Sequence, residues 1–274
     1  MSNRTSFRYT CGYLFSFLLI GVLFGISLTY AAPSKQLTNI HRIVAVGDIH
    51  GDSEKFFDLL VRAQLADKDE DDKVHWAPSW KYKDAGDDSD YSVKTTLVQM
   101  GDLTDRGEDD LNAMLIAFRL YEQIKYNTSE DDILLLLGNH ELLNVQGHFH
   151  YVASNNGGFV SKHVRQMAFE GPFGKAITEK FKMVDVIERT LFVHAGFADH
   201  TKLEDVDTIN KKTQTALSEK KFSEPLLSSS GPVWTRKMIF DAMRDNCDSI
   251  HKILSFFVRR SHCCRSYTAT VWAH

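Results

Sequence analysis

The chain has 274 residues, a formal charge of −4, and hydrophobic and charged shares of 43% and 25%, which place it among ordinary globular proteins. That length holds one sizeable domain, or one domain with a small cap. The mildly acidic balance argues against a nucleic-acid binder, which carries a clustered basic patch, and the four cysteines lack zinc-ribbon spacing.

Arg4 and Arg8 precede an apolar run from Tyr13 to Leu28, and small residues at Ala31 and Ala32 lead into Pro33. Residues 1–32 are expected to be a secretory signal cleaved near Ala31, or an uncleaved anchor, since the run is about as long as a thin bilayer is thick. Either directs the body of the protein into the secretory pathway or an endomembrane lumen, secreted or membrane-anchored, with membrane association through residues 11–32. Asn127-Thr128-Ser129 is an N-glycosylation sequon in a polar stretch.

From there the pattern is strand, loaded loop, helix, repeated. Ile43-Val44-Ala45-Val46 reads as a strand and runs into Gly47-Asp48-Ile49-His50-Gly51. Phe56, Phe57, Leu59, Leu60 and Ala63 follow at helical spacing, with Asp52 or Ser53 as N-cap. Residues 66–92 are polar and Asp-rich and are expected to form a long loop or insert. Leu97-Val98-Gln99-Met100 is the next strand, ending in Gly101-Asp102-Leu103-Thr104-Asp105-Arg106-Gly107, and an amphipathic helix runs through Leu111, Met114, Leu115, Phe118, Tyr121 and Ile124. Ile133 to Leu137 reads as a fully buried strand. Gly138-Asn139-His140-Glu141 follows it. Gly157-Gly158 and Gly171-Pro172 mark loops, Thr190-Leu191-Phe192-Val193 is a further strand before His194-Ala195-Gly196, and Met238 to Phe257 reads as helical. The fold class is α/β: a sandwich of mixed sheets flanked by helices, with ligands at strand ends.

A strand ending in a tight glycine turn aims its next side chains into the crevice at the sheet edge. Four strands here deliver Asp48 and His50, then Asp102, Asn139 and His194. Carboxylate oxygens and neutral imidazoles suit manganese, iron or zinc. Taken singly, each residue reads as a capping Asp or a core His. Four such motifs in this order favour a metal centre, with Asp102 placed to bridge two cations.

These motifs resemble the phosphoprotein phosphatase family of metallophosphoesterases, whose signatures are Gly-Asp-x-His-Gly, Gly-Asp-x-x-Asp-Arg-Gly, Gly-Asn-His-Glu and His-Ala/Gly-Gly. Leu142-Leu143-Asn144, Tyr151-Val152, the long gap between the first two motifs, and Gly231-Pro232-Val233-Trp234-Thr235-Arg236 look like its Shewanella-like branch. The resemblance implies a calcineurin-like sandwich over residues 41–257 with two divalent metal ions about 3.5–4 Å apart. Asp48, His50 and Asp102 would hold the first metal, and Asp102, Asn139 and His194 the second. A metal-bridging water would attack phosphorus. His140, oriented by Asp105, would protonate the leaving oxygen. Arg106, and more weakly Arg236, would grip the phosphate with Asn139 beside them. The implied substrate is a phosphoprotein or phosphopeptide, with phosphoserine, phosphothreonine and phosphotyrosine all open.

The same family places a further metal-binding His in a Gly-His-Thr context after an apolar strand. Here Phe256-Phe257-Val258 is followed by Arg259-Arg260-Ser261-His262-Cys263-Cys264-Arg265. The C-terminal strands are therefore expected to be missing, residues 258–274 to be an atypical tail, and His262 to stand near the missing ligand without the strand that would aim it. Two alternatives follow: a nucleotide or dinucleoside polyphosphate hydrolase, and an inactive product lacking a full second metal site. His148 and His150 read as exposed loop residues, and the acidic runs Asp67–Asp72 and Asp87–Asp90 as solvated loops. Trp76, Trp80, Tyr82 and Tyr91 are expected either to cap the cleft or to anchor the insert.

Overall fold

The computed structural model describes residues 38–80, 91–126, 130–198, 202–258 and 268–270. The expected signal or anchor, the sequon, Asp87–Asp90, Tyr82, the side chain of Tyr91 and His262 lie outside the described residues. By its contacts the chain divides into Met1–Gln36 and Leu37–His274, and everything described lies in the second unit. No described helix is long and apolar enough to cross a membrane.

The elements run β1 (Thr38–Val46), α1 (Ser53–Arg62), β2 (Ala66–Lys68), β3 (Val74–Trp76), β4 (Tyr91–Gln99), α2 (Asp110–Tyr126), β5 (Asp132–Leu136), α3 (Asn139–Val145), α4 (Lys162–Glu170), α5 (Pro172–Lys180), β6 (Phe181–Lys182), β7 (Val184–Ile187), β8 (Thr190–Val193), α6 (Val206–Ser218), α7 (Lys237–Ala242), α8 (Asp248–Val258) and β9 (Thr268–Thr270). The first sheet has the order β1-β4-β5-β6 and is parallel throughout. Parallel neighbours require crossovers, and α1, α2 and the α3–α5 segment supply them. Leu97, Ile133 and Leu135 face the main core, which the helices cover. Val98, Leu134 and Leu136 face the other way and pack with Phe192 of the second sheet, β7-β8-β9. Burial on both faces is why Ile133 to Leu137 is an unbroken apolar run.

Three segments differ from the sequence expectation. The insert contains the antiparallel hairpin β2–β3, because Val74 and Trp76 alternate with exposed His75. Asp69 accepts from the backbone N–H groups of Asp71 and Lys73, so the first acidic run is a hairpin turn. Trp76 anchors it: the backbone N–H donates to Gln123 Oε1 (2.6 Å) and the indole to Asp131 Oδ2 (3.0 Å). The single helix expected from Met238 to Phe257 is two helices, with Asp245 left-handed in the break at φ 57°. Residues 258–274, read as an atypical tail in which no element was placed, include β9, which pairs in parallel with β8. The edge of β8 away from β7 offers backbone groups that β9 pairs with.

Candidate active site

The first three motif loops leave the C-terminal ends of the adjacent strands β1, β4 and β5, and the fourth follows β8. The first two are clasped together. The N–H groups of Ile49 and His50 both donate to the Asp102 carbonyl (2.9 Å each), and Gly107 N–H donates to the His50 carbonyl (2.8 Å). His50, Asp102, Asp105 and Arg106 have φ of 49°, 54°, 71° and 69°. Such left-handed backbone costs about 1–3 kcal/mol per non-glycine residue and persists only where the surroundings over-determine it. Glu141 supplies part of that constraint. Fully buried, its carboxylate accepts from the N–H groups of Asp102 (2.8 Å), Leu103 (2.8 Å) and Gly138 (3.0 Å).

Asp102 lies at the centre. Its Oδ2 is 3.5 Å from His194 Nε2, 3.8 Å from His50 Nε2 and 4.0 Å from His140 Nε2. Asp48 Oδ2 is 3.5 Å from His50 Nε2, and Asn139 Oδ1 is 3.1 Å from His194 Nε2. The other ring nitrogens point away: His50 Nδ1 to the Thr104 carbonyl (3.0 Å) and His194 Nδ1 to the Met100 carbonyl (2.8 Å). A carbonyl only accepts, so Nδ1 carries the proton and Nε2 turns toward the carboxylates, the arrangement typical of metal-binding histidines. Two donor groups, His50–Asp102–His140 and Asp48–Asp102–His194, each lie within 4.8 Å, and Asp102 belongs to both.

The electrostatics agree with a cation site. Burial, and then the charge of Asp102, push Asp48 up to about 7. Burial opposes charge on His194, but its hydrogen bond to Asp102 and that carboxylate's charge outweigh burial and hold it at about 9. Burial likewise opposes ionisation of Asp102, yet the His194 hydrogen bond and the charges of His194 and His140 hold it below the ordinary range. Two carboxylates with side chains only 2% exposed favour a positive partner, and carboxylates, imidazoles and an amide oxygen fit a borderline divalent metal.

His140 faces the same centre from α3. Its Nδ1 is 2.7 Å from Asp105 Oδ2, and Arg106 Nη2 lies 3.4 Å from its Nε2. Burial disfavours charge on His140, but the Asp105 hydrogen bond and the nearby carboxylates outweigh it and raise its pKa. The Tyr151 ring meets the His140 ring edge at 5.2 Å, and exposed His150 packs on Tyr151 at 4.3 Å. Arg106 is exposed at this mouth, and its backbone N–H donates to the Tyr151 carbonyl.

The structure thus gathers Asp48, His50, Asp102, Asp105, Arg106, Asn139, His140 and His194. Arg236 lies on a segment tied to the His194 loop, whose Ala195 and Gly196 N–H groups donate to the Pro232 carbonyl. Its guanidinium donates to the Trp234 carbonyl and makes no hydrogen bond or ion pair to the cluster among the described residues. Sequence reasoning missed Glu141, Asn144, Asp110 and Arg165. Glu141 had a signal, a glutamate three residues after a helix cap. Arg165, on a short and largely polar helix, had none.

Shewanella-like protein phosphatase 1 of Plasmodium berghei (strain Anka) is 26% identical over 228 residues, 78% of this chain and 57% of its own length. Shewanella-like protein phosphatase 2 of Arabidopsis thaliana is 32% identical over 111 residues, 40% of this chain and 23% of its own. The chain therefore spans less than two thirds of the length of either relative. The crystal structure of a cold-active protein-tyrosine phosphatase from a psychrophilic Shewanella species has the same fold, at a TM-score of 0.58 and 18% identity, over 81% of this chain and 66% of that one. The profile of the calcineurin-like phosphoesterases matches residues 41–250, well over half of the chain and all four motif loops. The chain belongs to the calcineurin-like phosphoesterase family.

Proposed function

We infer that the protein is a metal-dependent phosphomonoester hydrolase that acts on phosphoproteins. The observation carrying this reading is the convergence of His50, His140 and His194 Nε2 on Asp102 Oδ2, within 3.5–4.0 Å. Asp48, His50 and Asp102 would hold one divalent cation, and Asp102, Asn139 and His194 a second. When bound, such a pair supplies positive charge to the phosphate oxygens and lowers the pKa of water.

The chain's own groups do the rest. Arg106 grips phosphate oxygens at the mouth with its planar fork, and Arg236 is a second contact from the segment tied to the His194 loop. His140 gives its Nε2 proton to the leaving oxygen while Asp105 holds Nδ1. The likeness to proteins named protein phosphatases supports a phosphoprotein substrate. The catalytic domain is assigned to residues 41–257, and residues 1–32, by composition, to entry into the secretory pathway.

The test uses the full chain, purified in mild detergent and loaded with manganese. Phosphopeptides should release phosphate, chelator should abolish it, and His140→Ala should lower turnover at least about 100-fold. Preference for a dinucleoside tetraphosphate would overturn the substrate class. Two bound metals per chain with no phosphate release from either substrate would overturn the activity.

A further inference from the structure

Arg165 is fully buried, yet it takes no direct part in the proposed reaction. A buried guanidinium costs several kcal/mol of desolvation, and an apolar side chain of similar volume often serves a core as well. The three rings around it, Phe149, Phe159 and Phe169, with centroids 5.1–5.8 Å from the guanidinium carbon, would accept such a replacement. Packing alone therefore does not account for an arginine here.

Its hydrogen bonds are more specific. Nη2 donates to Asp105 Oδ1 (3.0 Å) and to Asn144 Oδ1 (2.7 Å), and Nη1 pairs with Asp110 Oδ2 (2.7 Å). Asp110 Oδ1 in turn accepts the Asp105 backbone N–H (2.9 Å), which closes a ring of contacts around Asp105. Asn144 Nδ2 donates to the same Asp105 Oδ1 (2.9 Å) and to the His140 carbonyl (2.9 Å). Two donors thus hold Oδ1, and Oδ2 is turned to His140 Nδ1.

We propose that Arg165 is a positioning residue for His140, acting through Asp105 and clamped from behind by Asp110. It fixes the rotation of the Asp105 carboxylate, and that carboxylate aims the imidazole at the leaving oxygen. The inference rests on the reading of His140 as proton donor.

The test compares two substrates on the full, metal-loaded chain: 4-nitrophenyl phosphate, whose leaving group needs little protonation, and a phosphoserine peptide, whose alkoxide needs a proton. In Arg165→Lys, kcat on the phosphoserine peptide should fall about 10–100-fold with KM little changed, the size of loss seen when a supporting partner of a site ligand is removed. The aryl phosphate should lose only a few-fold. His140→Ala should show the same asymmetry, larger. Equal losses on both substrates, or none, in Arg165→Lys overturn the proposal. If Arg165→Lys does not fold, Asp110→Asn decides on the same criterion, because it keeps the guanidinium buried and loosens its rear contact. If His140→Ala itself shows no asymmetry, the proton-donor reading fails and this inference with it. If His140→Ala shows it and neither Arg165→Lys nor Asp110→Asn does, the inference alone fails.

Discussion

The cluster around Asp102 and the clamp around Asp105 meet at His140 and are built by opposite rules. In the cluster, carboxylate and amide oxygens crowd the Nε2 edges of histidines whose Nδ1 atoms face carbonyls, and without a cation the positive charge among them falls to His194. In the clamp, donors and acceptors alternate, from His140 through Asp105 and Arg165 to Asp110. The cluster stores electrostatic cost that a cation relieves, whereas the clamp balances its charge within the chain. Changes in the first should therefore cost function more than stability, and changes in the second should cost both.

Asp102→Asn gives the largest expected effect and the sharpest test of that contrast. Asparagine tolerates the left-handed φ of 54° and its side-chain oxygen can still accept the His140 N–H, so the local structure should survive. Replacing the carboxylate relieves the repulsion that raises Asp48. Phosphate release should fall by more than about 100-fold, the upper end for removing mere supporting partners, and bound metal should drop below two per chain. The melting temperature of the chelated protein should fall only slightly, because relief of Asp48 offsets part of the stabilisation that Asp102 exchanges with His194 and His140. A marked loss of stability in chelator would mean that the cluster holds the fold together and would erase the comparison.

The cluster was legible in the sequence because each ligand follows a strand and a glycine turn, a local pattern that needs no knowledge of the partner strand. The β2–β3 hairpin was hidden because its strands have three residues each and its turn is a run of acids that reads as solvated loop. The clamp was half visible. Asp105 belongs to a motif, but Asp110 and Arg165 are joined only by the folding of α4 over the start of α2, and 55 positions separate them. Long-range ion pairs leave no periodicity. Gly157-Gly158 marks a loop in the sequence, and the structure gives it a specific cause: a Cβ on Gly157 would overlap both Asp110 and Arg165.

That glycine gives a second test. Gly157 sits at φ 63°, so alanine there is strained by its backbone and by the clamp beneath it. Gly157→Ala should cost about 1–3 kcal/mol in urea unfolding. Because the change lies against the clamp, metal content should stay at the wild-type value while turnover of the phosphoserine peptide falls. Loss of metal in this variant would show that the two regions are not separable.

The smallest expected effect tests whether the clamp is an ion pair throughout its working range. Burial, opposed by the charge of Arg165, raises Asp110 from 3.8 to about 6. The folded chain then holds a proton that the unfolded chain has released, so this group's contribution to stability is full at low pH and is lost as pH rises through about 6. The amide introduced by Asp110→Asn does not titrate. Between pH 5 and 7 the wild type should therefore lose about 1 kcal/mol of stability relative to Asp110→Asn, measured by urea unfolding in chelator at each pH. The slope matters, not the offset, because the variant also weakens the Arg165 contact. A wild type that gains on the variant as pH rises would mean that Arg165 outweighs burial. The clamp would then be a fully charged pair, and the contrast with the cluster would be one of charge balance alone, with no proton stored behind His140.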